Sequence, residues 1–191
     1  MSIRKKILAI SIGPVLVLGV ITLLFILTMV KSSLMDEVQD ALKGTAAATL
    51  AAYDQNTGDY LESTNGDIWK GSYNISKSES LVDRIKENTG MDVTFFYGNK
   101  RIMTSALDKK GNRILGSEAG ERVVNQVIKG KKPFFSTNVS LDGTRNYGYF
   151  IPVYQNGTTD QVIGMVFVGT NKAKKDAIVN KILGSIMMAL L

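Results

Sequence analysis

The chain has 191 residues and a net charge of +6, with no cysteine and no histidine. This composition excludes disulfide frameworks, the usual zinc sites, cysteine nucleophiles and histidine acid–base chemistry. Its charges are interspersed instead of clustering with aromatic residues, so the sequence predicts no binding to nucleic acid. It also contains no paired-carboxylate pattern and no phosphate-binding glycine loop. We therefore expect a protein that is not an enzyme and that uses no cofactor.

The first predicted element is a membrane helix over residues 7–30, a stretch without a charged residue. At about 1.5 Å per residue this stretch spans roughly 36 Å, more than the ~30 Å hydrocarbon core of a bilayer. It is also longer than the apolar region of a cleaved signal peptide, which favours an uncleaved anchor. Because the basic residues Arg4, Lys5 and Lys6 precede it, residues 1–6 are predicted to be cytoplasmic and residue 31 onward extracytoplasmic.

A second apolar run, "ILGSIMMALL", lies at residues 182–191. It has no polar face and is too short to span a bilayer. We interpret residues 176–191 as the start of a second membrane helix, within which the chain ends. The predicted plan is an anchor, an extracytoplasmic domain over residues 31–175 and a second anchor.

Two helices are predicted before the first strand. The first membrane helix is predicted to continue to about Asp54, because apolar residues recur at helical intervals: Leu34, Val38, Leu42, Leu50 and Tyr53. Residues 55–75 are predicted to be loop with at most a short strand. The stretch "SKSESLVDRIKENTG" predicts a second helix with a capping box from Ser76 to Glu79 and a stop at Gly90.

Five strands are predicted in the rest of the domain, in the stretches "MDVTFFY", "KRIMTSA", "PFFSTNVS", "TRNYGYFIPVY" and "DQVIGMVFVGT". Turns at Gly98–Asn99, Asp142–Gly143 and Asn156–Gly157 join them as hairpins, with a short helix between the second and third strands. The last strand is apolar on both faces, which is typical of a central strand. The sequence therefore predicts an α+β fold in which a five-stranded antiparallel sheet carries the long helix on one face.

The ordered stretches "DVTFFYGNKRIMTS", "GNRILGSEAGERVVNQVIKGKKPFF", "DGTRNYGYFIPVY" and "QVIGMVFVGTNK" resemble the single Cache sensor domain of bacterial methyl-accepting chemotaxis proteins. The resemblance covers about residues 31–175. It implies a PAS-like extracytoplasmic fold flanked by membrane helices. It also implies a homodimer, for which Leu34, Val38 and Leu42 are the expected seam between the long helices.

A related domain of the citrate and fumarate sensor kinases grips a carboxylate with an arginine and, three residues later, a histidine. Arg101 and Thr104 have that spacing here, with threonine in place of the histidine. Those kinases place a second arginine two residues before an aromatic residue, where this chain has Gly148 ahead of Phe150. The two-arginine clamp is therefore missing, and the resemblance does not extend to a di- or tricarboxylate ligand.

Six residues are predicted to bind the ligand: Arg101, Thr104, Ser105, Lys132, Tyr147 and Tyr149. The Arg101 guanidinium offers a fork of donors that fits a carboxylate, although it could instead pair with Asp92 or Asp108. The hydroxyl and tyrosine side chains suit a small-molecule pocket but also suit ordinary strand packing, and a lysine after a helix commonly faces water.

From these observations we expect the sensory region of a chemoreceptor in the cell membrane. It would bind a small extracellular molecule, an anion or carboxylate, and relay a conformational signal across the membrane for chemotaxis. Two alternatives stay open. One is the input domain of a sensor histidine kinase or nucleotide cyclase, and the other is an anchored extracellular binding protein without signalling output.

Overall fold

The computed structural model describes residues 3–189 of the chain and the side chains of residues 11–188. These residues form two compact units, one of residues 3–38 with 177–189 and the other of Gln39–Asp176. Positions 1–2 and 190–191, which belong to the predicted segments 1–6 and 176–191, lie outside the described residues.

The first unit consists of parts of two helices, α1 (Ile3–Asp54) and α4 (Lys172–Ala189). In α1 the apolar side chains between residues 12 and 29 are largely exposed, as at Leu16 and Phe25. Thr22 and Thr28 donate their hydroxyls to backbone carbonyls one turn earlier. The helix contains a window of mean hydropathy 2.6, so by length and composition it could cross a membrane.

The second unit begins with a small antiparallel sheet in the region predicted to be loop. It contains β1 (Tyr60–Glu62), β2 (Ile68–Lys70) and β3 (Tyr73–Asn74) in that order. Gly71 has a φ of 56°, and a Cβ at this position would lie 1.8 Å from the Thr57 carbonyl oxygen. Only glycine fits that turn. These strands are too short to show a readable hydrophobic alternation.

Helix α2 (Glu79–Thr89) ends as predicted, with Gly90 in the left-handed conformation at φ 69°. The predicted capping box is wrong. A 3₁₀ turn over Ile75–Lys77 precedes the helix, and Ser78 is the N-cap residue. The Ser76 hydroxyl oxygen instead accepts the backbone N–H of Ile68, tying this turn to the small sheet.

The main sheet has five strands: β4 (Asp92–Tyr97), β5 (Lys100–Thr104), β6 (Phe134–Leu141), β7 (Thr144–Tyr154) and β8 (Val162–Asn171). Their order is β5–β4–β8–β7–β6, and every neighbouring pair is antiparallel. The predicted five-stranded sheet is confirmed, with β8 at its centre. The last strand is buried from Gly164 to Thr170, which explains why its sequence is apolar on both faces.

One face of the sheet packs against the outer part of α1. Leu42, Ala46 and Tyr53 are fully buried there, and the Tyr53 ring meets Phe95 edge-on at 5.1 Å. The predicted contact with the long helix is therefore confirmed. It also corrects the predicted dimer seam, because Leu42 is used inside its own domain and is inaccessible to a second copy.

The other face is covered by the chain between β5 and β6, which includes α3 (Glu121–Val123) and a π-helical turn over Val124–Lys129. Val127 of that turn is fully buried against the sheet residues Phe96, Phe150, Met165 and Phe167. This cover segment is a loop and a short helix, so it leaves part of the face open. The cavity described next occupies that opening.

Candidate functional site

A β-bulge turns Arg101 toward the covered face of the sheet. Phe95 pairs with Met103, but the next residue, Phe96, pairs with Arg101, leaving Ile102 as the extra residue. Directly paired residues project to the same face, so Arg101 shares the face of Phe96. The Arg101 guanidinium carbon accordingly lies 5.3 Å from the centre of the Phe96 ring.

Arg101 is buried, with 8% of its surface exposed. One terminal nitrogen donates a weak bond of 3.3 Å to the Ile114 carbonyl oxygen, and Nε has no hydrogen-bond partner. Within the described residues no carboxylate forms an ion pair with it; Asp92 pairs with Lys86 at 2.8 Å. Burial lowers the pKa of Arg101, with Asp92 opposing that shift. The guanidinium nevertheless stays charged, and its Nε–H donor remains available to an acceptor.

Arg101 borders a cavity of about 650 Å³ on this face of the sheet. Three phenylalanines of the sheet form its floor, namely Phe96, Phe150 and Phe167, and Phe134 of the edge strand adds a fourth ring. The Phe150 and Phe167 rings are 4.8 Å apart, and the Phe134 and Phe150 rings are 6.4 Å apart. A cavity with an aromatic floor, polar groups in its walls and one buried cation at its border suits a small organic anion.

The remaining walls come from residues that sequence reasoning did not select. The cover segment contributes Glu118 and Arg122, and the Arg122 guanidinium lies 5.3 Å from the Phe134 ring centre. Edge strand β6 contributes a run of hydroxyl and amide side chains: Ser136, Thr137, Asn138 and Ser140. A bulge between Ser136 and Val139 interrupts the pairing of β6 with β7 beside this wall. The sequence signal for this wall is the polar run "STNVS" in a strand that otherwise begins with two phenylalanines.

Thr104 and Ser105 lie close to Arg101 but outside the cavity lining. The Thr104 hydroxyl is fully buried and meets the Thr94 hydroxyl at 2.7 Å, and its oxygen accepts the N–H of Ala106. The Ser105 hydroxyl accepts the N–H of Val93 and donates to Asp92. Both hydroxyls therefore hold the strand ends together.

Tyr147 and Tyr149 lie on the opposite face from the cavity. Phe150 pairs with Phe167 on the cavity face, so the alternation of β7 directs Tyr149, paired with Val168, to the α1 face together with Tyr147. Lys132 is exposed, and the structure uses its backbone N–H, which donates to the Gln126 carbonyl oxygen. Of the six predicted residues, only Arg101 borders the cavity.

Tyr147 instead joins the sheet to the first turn of α4. Its hydroxyl donates to Asp176 at 2.5 Å and accepts from the Lys172 ammonium at 2.6 Å. Burial, followed by the bond to Asp176, raises the pKa of Tyr147, and the bond to Tyr147 raises the pKa of Lys172. Phe135 is a residue of the cavity wall, but its ring lies on the opposite face of the sheet, where it stacks on Tyr147 at 6.3 Å and 10°. One aromatic contact therefore separates the cavity wall from α4.

An antiparallel sheet with a helix on one face and an arginine-bordered cavity on the other has room for a small molecule. The family model of single Cache domain 3 matches residues 73–182, more than half of the chain. The chain therefore belongs to the single Cache domain family. Domains of this family are extracellular, ligand-binding sensor modules without catalytic activity.

Several solved structures are similar to this chain at low sequence identity. An extracellular ligand binding receptor from Desulfohalobium retbaense aligns with a TM-score of 0.55 and 15% identity over 80% of this chain, which spans 25% of that receptor. The DcuS sensor domain of E. coli aligns with a TM-score of 0.44 and 12% identity. The alignment covers 80% of this chain and 98% of the DcuS chain. A methyl-accepting chemotaxis protein X aligns with a TM-score of 0.42 and 16% identity. The alignment covers 78% of this chain and 64% of that protein's chain. A comparison with curated proteins finds no match.

Proposed function

We propose that the chain is the sensory region of a transmembrane chemoreceptor whose cavity binds a small extracellular anion through Arg101. The observation that carries this proposal is the buried, charged Arg101, whose Nε has no partner at the border of a 650 Å³ cavity. A buried charge without a counter-ion is costly, so it is retained where an anion completes the site. An anion there would gain charge-assisted hydrogen bonds in a place shielded from water.

A membrane anchor is supported by the apolar, exposed stretch of α1 that follows residue 11. The basic residues Arg4, Lys5 and Lys6 precede that stretch in the sequence, which favours a cytoplasmic N-terminus and an external sensor domain. The second membrane segment rests on the apolar run at residues 182–191, and the homodimer rests on the sequence resemblance to chemoreceptors.

Signal relay is supported by the way the central strand ends. β8 runs to Asn171 and α4 begins at Lys172, so no flexible linker absorbs a movement of the strand. Tyr147 bonds the same first turn of α4 to β7, the neighbour of β8. A ligand shifts the equilibrium between two conformations of this region only if it binds one of them more tightly. The chemotactic nature of the output rests on the sequence resemblance.

The proposal is tested with the full chain in lipid nanodiscs, screened by thermal shift and calorimetry against small organic anions. Arg101→Ala is expected to weaken binding of a hit by one to two decades, because a hydrogen bond to a charged group contributes about 1.5–3 kcal/mol. Arg84→Ala, which removes an exposed arginine of α2, is the matched control and should bind like wild type. Equal affinities of wild type and Arg101→Ala would overturn the proposal.

A further inference from the structure

The lining of the cavity is specific enough to indicate which class of anion it takes. Five of the seven phenylalanines of the chain border it. Both cations at its border, Arg101 and Arg122, lie 5.3 Å from the centre of one of these rings. Phe96 is buried in the floor, whereas the half-buried Phe134 ring keeps surface for an apolar, flat neighbour.

The charges at the border match a single carboxylate. Arg101 is the one buried cation among the lining residues, whereas Arg122 is exposed. Glu118 contributes the only acidic side chain of the lining, and it would oppose a second carboxylate. The polar wall of β6, with hydroxyl and amide side chains only, carries no charge. A dianion would therefore lack a second buried partner.

The volume of the cavity indicates the size of the ligand that it holds. Cavities of roughly 300–1,000 Å³ hold organic ligands with ring systems. An acid of two to four carbons would fill only a small part of 650 Å³, and the half-buried Phe134 ring beside the phenylalanine floor would have no contact with it. An aryl ring would cover that floor by offset or edge-on stacking.

We propose that the cavity binds a monocarboxylate with a flat aryl body, its carboxylate on Arg101 and its ring against Phe96, Phe134 and Phe150. This inference rests on the proposed function, since it assumes that the cavity is the ligand site.

The experiment measures binding of four probes to the full chain in nanodiscs, with empty nanodiscs as blank. The probes are phenylacetate, its neutral analogue phenylacetamide, acetate and succinate. We expect phenylacetate to bind at least tenfold more tightly than each of the other three. Loss of ring stacking in Phe150→Leu should weaken phenylacetate binding roughly 2- to 12-fold and leave acetate unchanged.

Two further variants keep the result interpretable. Phe134→Leu replaces a half-buried ring of the edge strand and should behave like Phe150→Leu even if the latter fails to fold. Tyr149→Leu removes the adjacent aromatic residue on the opposite face of β7 and should leave phenylacetate binding intact.

The outcomes separate the two proposals. If acetate or succinate bound as tightly as phenylacetate and Arg101→Ala abolished that binding, the aryl class would be wrong and the anion site would stand. If phenylacetate bound equally to wild type and Arg101→Ala, both would be wrong. Binding of phenylacetamide as tight as that of phenylacetate would also overturn the monocarboxylate assignment.

Discussion

The hydroxyl of Tyr147 donates a 2.5 Å hydrogen bond to Asp176, joining strand β7 to the first turn of helix α4. The same oxygen accepts from Lys172, whose ammonium also lies 4.2 Å from the centre of the Tyr147 ring. This phenol therefore bonds both charges of an i, i+4 pair in the first turn of the helix. Phe135, a residue of the cavity wall, stacks on the Tyr147 ring, so a change at the cavity wall has a short path to the helix.

Tyr147→Phe is expected to lower the free energy of unfolding by about 1–3 kcal/mol, because two bonds to charged groups are lost. Tyr154→Phe is the matched control. Its hydroxyl makes one exposed bond of 3.3 Å to the Lys131 carbonyl oxygen, and the loss should be under about 0.5 kcal/mol. Urea unfolding followed by circular dichroism measures both variants. A Tyr147→Phe variant as stable as Tyr154→Phe would show that the network contributes nothing to stability.

A flexible Gly-Ser segment inserted between Asn171 and Lys172 is expected to leave ligand affinity unchanged and to abolish the response. The reason is that the insertion separates β8 from α4 without touching the cavity. The measurement uses a chimera in which a reporter kinase follows residue 191, with ligand binding and kinase activity assayed on one preparation. The same segment inserted between Asn156 and Gly157, in a hairpin turn, is the control and should keep the response. A response that survives the first insertion would refute this route of coupling.

Gly148→Ala is expected to destabilise the domain by roughly 1–3 kcal/mol, the usual cost of overpacking. A Cβ at Gly148 would lie 2.5 Å from the Phe167 ring and 2.8 Å from the Val139 side chain, so the floor of the cavity would have to move. Gly44→Ala is the control of opposite sign. Its Cβ meets nothing within 4 Å on helix α1, and the substitution should stabilise the domain by about 0.5–1 kcal/mol. Thermal melts compare the two variants, and equal signs would contradict the packing described here.

The ion pair between Asp83 and Arg113 predicts a dependence of stability on pH. The two guanidinium nitrogens donate to the two carboxylate oxygens at 2.9 and 2.5 Å, and these bonds hold the pKa of Asp83 below its usual range. A carboxyl whose pKa is depressed by folding stabilises the protein fully above its unfolded pKa, near 4, and loses that contribution as pH falls through the folded value. Stability from this pair should therefore disappear below about pH 4.

Asp83→Asn is expected to cost roughly 0.5–1 kcal/mol at pH 7, since both partners are partly exposed. At pH 2.5 the difference from wild type should shrink toward zero. Asp160→Asn, in the turn before β8, serves as the control and should match wild type at both pH values. Urea unfolding at the two pH values checks the prediction, and a difference that stays constant with pH would contradict it.

The elements of this domain follow from short stretches of sequence, because their signals are local. The positive φ of Gly90 ends α2, and three glycine-containing turns define the hairpins. The apolar character of β8 on both faces indicated its central position before any pairing was known. The capping of α2 was less predictable, since Ser76 and Ser78 both suit an N-cap. The small sheet decided between them by using the Ser76 hydroxyl.

The site depended on contacts between distant parts of the chain. The sequence marked Arg101 as a candidate for binding an anion and left open an ion pair with Asp92 or Asp108. Whether it faced the cavity was decided by the bulge at Ile102, which changes the face of every residue before it on β5. The faces of Tyr147 and Tyr149 could have been inferred from their alternation with Phe150, once it was known which face carries the cavity.

By itself, then, the sequence determined the fold class, the five strands of the main sheet and Arg101 as a candidate binding residue, because hydrophobic period, turn residues and charge are properties of neighbouring residues. Only the tertiary structure decided which side chains share the cavity with Arg101. Glu118, Arg122 and the polar wall of β6 lie far from Arg101 in sequence or on separate elements, and strand pairing and chain crossing bring them together. The tertiary structure also showed that Thr104 and Ser105 do not line the cavity, since nearby backbone and hydroxyl groups already use their hydrogen-bonding capacity.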